Sequence, residues 1–395
     1  MAERFIYLDH AATTAVSPAV LEKMLPYFTN NYGNPSSIYS IARTTKKAID
    51  EARSTVAEAL GAQPNEVFFT GSGTEADNWA IKGAALAAAA ADKGRHIITS
   101  SIEHHAVLDS CGALGRQGYR ITYLPVGPDG LVAPEALSEP ICEDTALVSI
   151  MAANNEIGTL QPIKELAAIC RPRGVLFHTD AVQAAGAIPL DVGDLGVDML
   201  TIAAHKFYGP KGVGALYIKA GTKVERFIHG GAQERARRAG TENVAGVVGL
   251  AEAFRITTVD LEANGARLRA LRDRTIREVM DRIPHTILNG HPERRLPNNA
   301  NFAFRFIEGE SMLLMLDMKG VGASSGSACT SGSLDPSHVL LAIGLPHETA
   351  HGSLRVTFGA ENTDADVDYL LDTLPPIIQR LRDMSPLYED FLKRN

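Results

Sequence analysis

Ala203-Ala204-His205-Lys206-Phe207-Tyr208-Gly209-Pro210-Lys211-Gly212 is the stretch on which the reading of this chain turns. It follows Met199-Leu200-Thr201-Ile202, an apolar run with the length of a buried strand, and leads into Gly212 to Ile218, a second strand candidate. Lysine is normally a solvated surface charge. At the end of a buried strand its ammonium is disfavoured and the amine becomes a nucleophile, most often one that forms a Schiff base. A surface turn with two ordinary lysines would look the same in isolation, so the surroundings must decide.

Those surroundings alternate between strand and helix. Strands are expected at 5–8, 67–70, 96–99, 121–124, 146–151 and 175–178. Helices are expected from about 38 to 60, 73 to 91, 106 to 117, 163 to 171 and 244 to 257. In the first, Ile38, Ile41, Ala42, Thr45, Ile49, Ala52, Val56 and Leu60 recur at three and four, and Ser36 or Ser37 is the candidate cap. This alternation predicts an α/β fold with a mostly parallel sheet covered on both faces. Ligands in such sheets bind beyond the carboxyl ends of the strands. The polar clusters Glu103-His104-His105, Asn154-Asn155-Glu156, Asp180 with Gln183, and His205-Lys206 all fall there. Gly71-Ser72-Gly73-Thr74 sits between a strand and a long helix, where free N–H groups and the helix dipole favour an anion. No Gly-Lys-Ser/Thr follows it, so it is not a Walker loop.

After about residue 258 the pattern changes. A charged helix at 261–283 leads to strands at 286–288, 301–306 and 353–358 and helices at 311–318 and 364–384. The expected division is a large α/β domain at 15–258 and a smaller α+β domain formed by 1–14 and 259–395. The chain has 395 residues, 45% of them hydrophobic, and a net charge of −8. That is ample for a core, and it gives no sign of nucleic-acid or membrane binding. No apolar run is long enough to span a bilayer, and the first residues lack a signal-peptide pattern. Four cysteines without a CxxC pair argue against a zinc knuckle or a disulfide framework and fit a reducing cytoplasm.

Gly322-Ala-Ser-Ser-Gly-Ser-Ala-Cys329-Thr-Ser-Gly-Ser333 is the other unusual segment. Small residues bury little apolar surface, so a mobile loop at about 322–334 is expected. A thiol carried there reads as a travelling nucleophile, the alternative being a flexible linker with an incidental thiol. Cys111, Cys142 and Cys170 lie in or beside helical patterns and read as structural.

Taken together, these motifs resemble those of the cysteine desulfurases, in particular the NifS/IscS-like group of the class-V aminotransferases. The resemblance rests on Leu8-Asp-His-Ala-Ala-Thr-Thr14, Glu103-His-His-Ala-Val107, His178-Thr-Asp-Ala-Val-Gln183, His205 to Gly212, Arg237-Arg-Ala-Gly-Thr-Glu-Asn243 and Ser324-Ser-Gly-Ser-Ala-Cys329. It implies a fold-type I pyridoxal 5'-phosphate (PLP) enzyme, a homodimer, that turns L-cysteine into L-alanine. The sulfur is left as a persulfide on Cys329 for an iron–sulfur scaffold or another acceptor. It further implies that Lys206 supplies the amine joined to the cofactor, and that Asp180 pairs with the pyridine nitrogen. Gln183 and Asn155 would donate to the phenolic oxygen, and His104 would stack on the ring and move protons. Gly73, Thr74 and His205 would hold the phosphate, joined by Thr241 acting across the dimer. Arg355 and Asn34 would hold the substrate carboxylate. Ala203 stands where the family commonly has a serine, so one phosphate donor is missing.

The resemblance implies no resident metal, although Cys329 is a candidate ligand for a transient iron–sulfur species. The 237–243 stretch leans toward the nitrogen-fixation branch. Rival readings are a selenocysteine lyase or aminotransferase on the same fold, a non-catalytic sulfur carrier, and a metal-dependent hydrolase using Glu103, His104, His105, His178 and Asp180.

Overall fold

Alternating apolar residues build a sheet that is buried on both faces. In a strand, successive side chains point to opposite sides. Here Val67, Phe69, Ile98, Val148, Leu200, Ile202, Ala215 and Tyr217 enter one hydrophobic cluster. Their neighbours Phe68, Ile97, Leu147, Met199, Leu216 and Ile218 enter another on the opposite face. Each fully buried side chain of this size stabilises the fold by roughly 1.5–3 kcal/mol relative to exposure. The computed structural model of the chain describes residues 5–325 and 336–394.

The strands of this sheet are β2 (Val67–Thr70), β3 (His96–Ser100), β4 (Arg120–Leu124), β5 (Thr145–Ser149), β6 (Leu176–Asp180), β7 (Met199–Ala203) and β8 (Gly214–Ile218). The seven run in the order β2-β8-β7-β6-β5-β3-β4. Pairs from β4 through β7 are parallel, and β8 is antiparallel to both β7 and β2. The expected α/β class with a mostly parallel sheet is what forms. The Gly73–Ala90 helix covers one face. The Ser40–Ala59, Ile163–Cys170 and Val244–Val259 helices cover the other.

A third hydrophobic cluster lies off this sheet. It joins Ile6 and Leu8 to residues between Leu271 and Ile378. Its strands are β9 (Thr286–Leu288), β10 (Asn299–Phe304) and β12 (Ser353–Thr357), in an antiparallel sheet with β10 central. β1 (Ile6–Tyr7) pairs in parallel with β11 (Val321–Gly322), which seats the N-terminal segment on this unit.

Two local expectations need correcting. The helix after the Asn34-Pro35 turn begins at Ser40 with Tyr39 at its cap position, not with Ser36 or Ser37. The Ser36 N–H instead donates to Asn34 Oδ1 (2.9 Å), closing an Asx turn that ends before the helix starts. Ile38 therefore lies outside the helix and is 90% exposed. Cys111 and Cys170 are buried, but Cys142 is exposed in a loop, where the Arg120 Nη2–H donates to its Sγ at 3.0 Å. Cys329 lies outside the described residues.

Candidate active site

At the carboxyl ends of β3, β5, β6 and β7 lies a cavity of about 440 Å³. Lys206, Asp180, His104, Asn155, Gln183, His205, Gly73, Thr74 and Arg355 all border it. The reason is topological: each follows a strand end or helix start on the same edge of one sheet, and Arg355 reaches over from β12.

The corner expected from the sequence to take an anion is the start of the Gly73–Ala90 helix. Ser72 caps it, its Oγ accepting from the Glu75 N–H at 3.0 Å. Gly73 is there for space. A Cβ at that position would come within 2.9 Å of Val182 Cγ2 and 3.2 Å of Ala203 Cβ. Ala203 thus faces the phosphate-type corner with a methyl group and no donor.

Lys206 follows β7 in a single turn of helix, Ala204–Lys206. Its Nζ donates to the carbonyls of Ala11 (2.5 Å) and Ala12 (2.8 Å). Gln183 Nε2 donates to the same Ala11 carbonyl at 2.9 Å. The segment Asp9–Thr14 is therefore a strap across the site. Thr13 Oγ1 lies 3.2 Å from His205 Nδ1, and Thr14 Oγ1 donates to the His205 carbonyl at 3.0 Å.

Burial sets the protonation of the other groups. The His104 imidazole is pushed down to about 4, first by burial and then by Lys206, His105 and His338. Its Nδ1 accepts from the Ala106 N–H (3.1 Å), so the neutral ring carries its proton on Nε2. His205 also falls to about 4, by burial and then by Lys206 and Lys211. Asp180 is raised to about 6 by burial, against the pull of the Val182 N–H and Lys206.

Beneath Asp180 lies Asp77, which also borders the cavity. Burial, then the Asp180 charge, raise it well above the carboxylate range. Its Oδ1 has no hydrogen-bond partner among the described residues. His178 Nε2 is 3.7 Å away, but burial holds that imidazole down at about 3. That imidazole is neutral, so the contact is not an ion pair.

Arg355 is 1% exposed and emerges from β12. Nη1 donates to the Asn155 carbonyl (2.9 Å) and Nη2 to Asp9 Oδ1 (2.8 Å).

Two expected site residues do not border this cavity. Asn34 is exposed, with its Oδ1 committed to Ser36, and Thr241 is exposed as well. Several lining residues escaped the sequence reading: Asp77, His338 and the Ala11 and Ala12 backbone. Asp77 had a readable signal, since it lies one helical turn after Gly73 on the same face. Of the residues in the hydrolase alternative, Glu103, His104, His105 and Asp180 border the cavity, but not in a metal-holding arrangement. Among the described residues no group of three or more His, Cys, Asp and Glu side chains could hold a metal ion.

Residues 6–370 match the family described as aminotransferase class-V. The chain belongs to that family. Its members are PLP-dependent enzymes of fold type I. The chain is 56% identical over 390 residues to a cysteine desulfurase IscS of Clostridium botulinum, covering 98% of each. A solved NifS-like protein superposes with a TM-score of 0.89 at 37% identity, covering 95% of this chain and 100% of that one. A structure described as SspA in complex with cysteine matches with a TM-score of 0.79 at 35% identity, covering 89% and 98%.

The donor set of the cavity fits PLP. A buried carboxylate, a lysine amine, a neutral imidazole and an open helix N-terminus with no side chain filling it occur together around one space.

Proposed function

We propose that the chain is a cysteine desulfurase that removes sulfur from L-cysteine, releases L-alanine and passes the sulfur on for iron–sulfur cluster assembly. The observation that carries this reading is that one cavity joins Lys206, Asp180 and Arg355. The relatives named cysteine desulfurase, matched over nearly the full chain, support the substrate.

Lys206, Asp180, Gln183, Asn155 and His104 would hold the cofactor's ring, and Gly73, Thr74 and His205 its phosphate. Bound there, PLP supplies an aldehyde for the substrate's amino group and a ring that draws electron density from the α-carbon. Arg355 binds and orients the carboxylate, since a guanidinium matches two oxygens at once. The Lys206 amine takes the α-proton, and His104, whose Nδ1 already accepts the Ala106 N–H, offers its Nε2–H as a donor beside it. The Cys329 thiolate then attacks the substrate sulfur. An S–S bond forms as the Cβ–S bond breaks, and the electron pair stays with the carbon skeleton, which takes up protons to become alanine. The thiolate is the reactive form, so a neighbouring base must accept the Cys329 proton.

The proposal extends to a cytoplasmic homodimer in which Thr241 serves the partner's phosphate site, with Asn34 assisting Arg355. Nitrogenase maturation is the more specialised sulfur destination, and Cys329 is a candidate ligand for a transient iron–sulfur species. It also takes 15–258 as the large domain and 1–14 with 259–395 as the small one. The packing of Ile6 and Leu8 with residues 271–378 supports that division.

The test is the visible spectrum of the purified protein before and after L-cysteine, with alanine and protein-bound sulfur measured. Borohydride should fix the cofactor to the peptide containing Lys206. Cys329→Ser should retain colour and lose persulfide. A colourless protein, a label on another peptide, or a keto acid as product would refute the reading.

A further inference from the structure

The strap residue Asp9 has no role in the reaction outlined above, yet its carboxylate takes one arm of the Arg355 guanidinium. Two interpretations compete. Asp9 could stand in for a substrate carboxylate and leave when one arrives, or it could grip the guanidinium permanently from the far side.

The backbone decides between them. Asp9 bridges in parallel to Thr357, two residues beyond Arg355 on the same strand. The Ala11 N–H donates to Thr357 Oγ1 (2.9 Å), the Thr357 N–H donates to the Leu8 carbonyl (2.8 Å), and the Tyr7 hydroxyl donates to the Asp9 carbonyl (3.0 Å). Asp9 is thus fastened to β12 on both sides and moves with Arg355, so the pair cannot part by a shift of one element against another. Arg355 also borders the cavity, whereas Asp9 does not. The acid therefore lies behind the guanidinium as seen from the space a ligand would fill.

We propose that Asp9 is a positioning residue that sets the plane of the Arg355 guanidinium and thereby the site's selectivity for carboxylate-bearing substrates. A guanidinium presents five N–H donors in a fixed fork. With Nη2 tied to Asp9 and Nη1 to the Asn155 carbonyl, the plane of the guanidinium is fixed before a ligand arrives. Two-pronged binding of a carboxylate depends on that alignment. Asp9 also supplies the countercharge that a nearly fully buried guanidinium needs. The inference rests on the reading of Arg355 as the carboxylate anchor.

The test compares Asp9→Asn with wild type as holoenzymes, using three probes. L-cysteine carries both handles, 3-mercaptopropionate has the carboxylate without the amine, and cysteamine has the amine without the carboxylate. The expected result is a rise in KM for L-cysteine of about tenfold or more, falling on KM rather than kcat, with calorimetric affinity for 3-mercaptopropionate weakened in parallel. Cysteamine affinity and cofactor absorbance should hold. Asp9→Ser repeats the comparison if the amide variant does not yield soluble holoenzyme. Equal weakening of both partial ligands would make Asp9 a general structural support and overturn the proposal. Unchanged KM would overturn it too. Tighter carboxylate binding would make Asp9 a competitor and also overturn it. Failure of the underlying reading looks different: Arg355→Ala would then leave carboxylate affinity intact, whatever Asp9→Asn does.

Discussion

Arg53 and Glu234 meet as a buried fork, Nη1 donating to Oε2 at 2.7 Å and Nη2 to Oε1 at 2.8 Å. Glu234, Arg235 and Ala236 all have positive φ, at 45°, 57° and 61°. Three such non-glycine residues in a row cost of order 1–3 kcal/mol each. Glu234 offsets that cost with the Arg53 pair and by accepting the Phe69 N–H at 2.9 Å. Glu234→Gln should therefore loosen the 230–241 loop and the edge of β2 by roughly 3–5 kcal/mol, as when one partner of a buried ion pair is lost. Hydrogen exchange at the Phe69 amide reads this directly, and full protection in the variant would contradict it.

Glu103 is fully buried, and burial pushes its carboxyl up to about 8, against the Ser100 hydroxyl and the Met151 N–H. Between the ordinary value near 4.5 and 8 the folded chain holds a proton that the unfolded chain has lost. The unfolded state then binds fewer protons, so stability falls as pH rises through that window. In Glu103→Gln this contribution disappears. Urea midpoints measured from pH 5 to 8 should decline more gently in the variant, by at most about 1.4 kcal/mol per pH unit. Parallel declines would show that Glu103 is ionised in the fold.

The methyl group of Ala203 faces the helix start where the cofactor phosphate would sit. Ala203→Ser restores a hydroxyl donor there. One added hydrogen bond contributes about 1 kcal/mol, so cofactor loss on dilution should slow roughly fivefold. Faster loss would mean that the corner has no room for the oxygen.

Cys142 is held below the ordinary thiol range, first by the Thr145 hydroxyl, with the Arg120 guanidinium adding to it. Burial pushes Cys111 and Cys170 up to about 12. Iodoacetamide at neutral pH should therefore alkylate Cys142 well ahead of those two, since the thiolate is the reacting species. Peptide mapping that found Cys111 or Cys170 labelled first would refute the ordering.

The sheet was legible because its signal is local. Runs such as Val67-Phe68-Phe69 and Met199-Leu200-Thr201-Ile202 are short, apolar and bounded by turn residues, and this is what a strand covered on both faces requires. The chemistry-bearing clusters were legible because they follow those strands. The strap was not, because Ala11 and Ala12 act through main-chain carbonyls, which every residue possesses. Nor was the β1–β11 pairing, which joins residues more than 300 positions apart. The serines before the first long helix misled for the opposite reason: a plausible local cap lost to an equally local Asx turn at Asn34.

The strap precedes in sequence the distant elements that anchor it. Lys206 lies 195 residues downstream of Ala11, and Arg355 lies 346 downstream of Asp9. The wall over Lys206 therefore cannot be completed until Arg355 has been synthesised. Long loops must close before those contacts return any free energy. A chain truncated before Arg355 would lack a finished pocket however well its central sheet had formed.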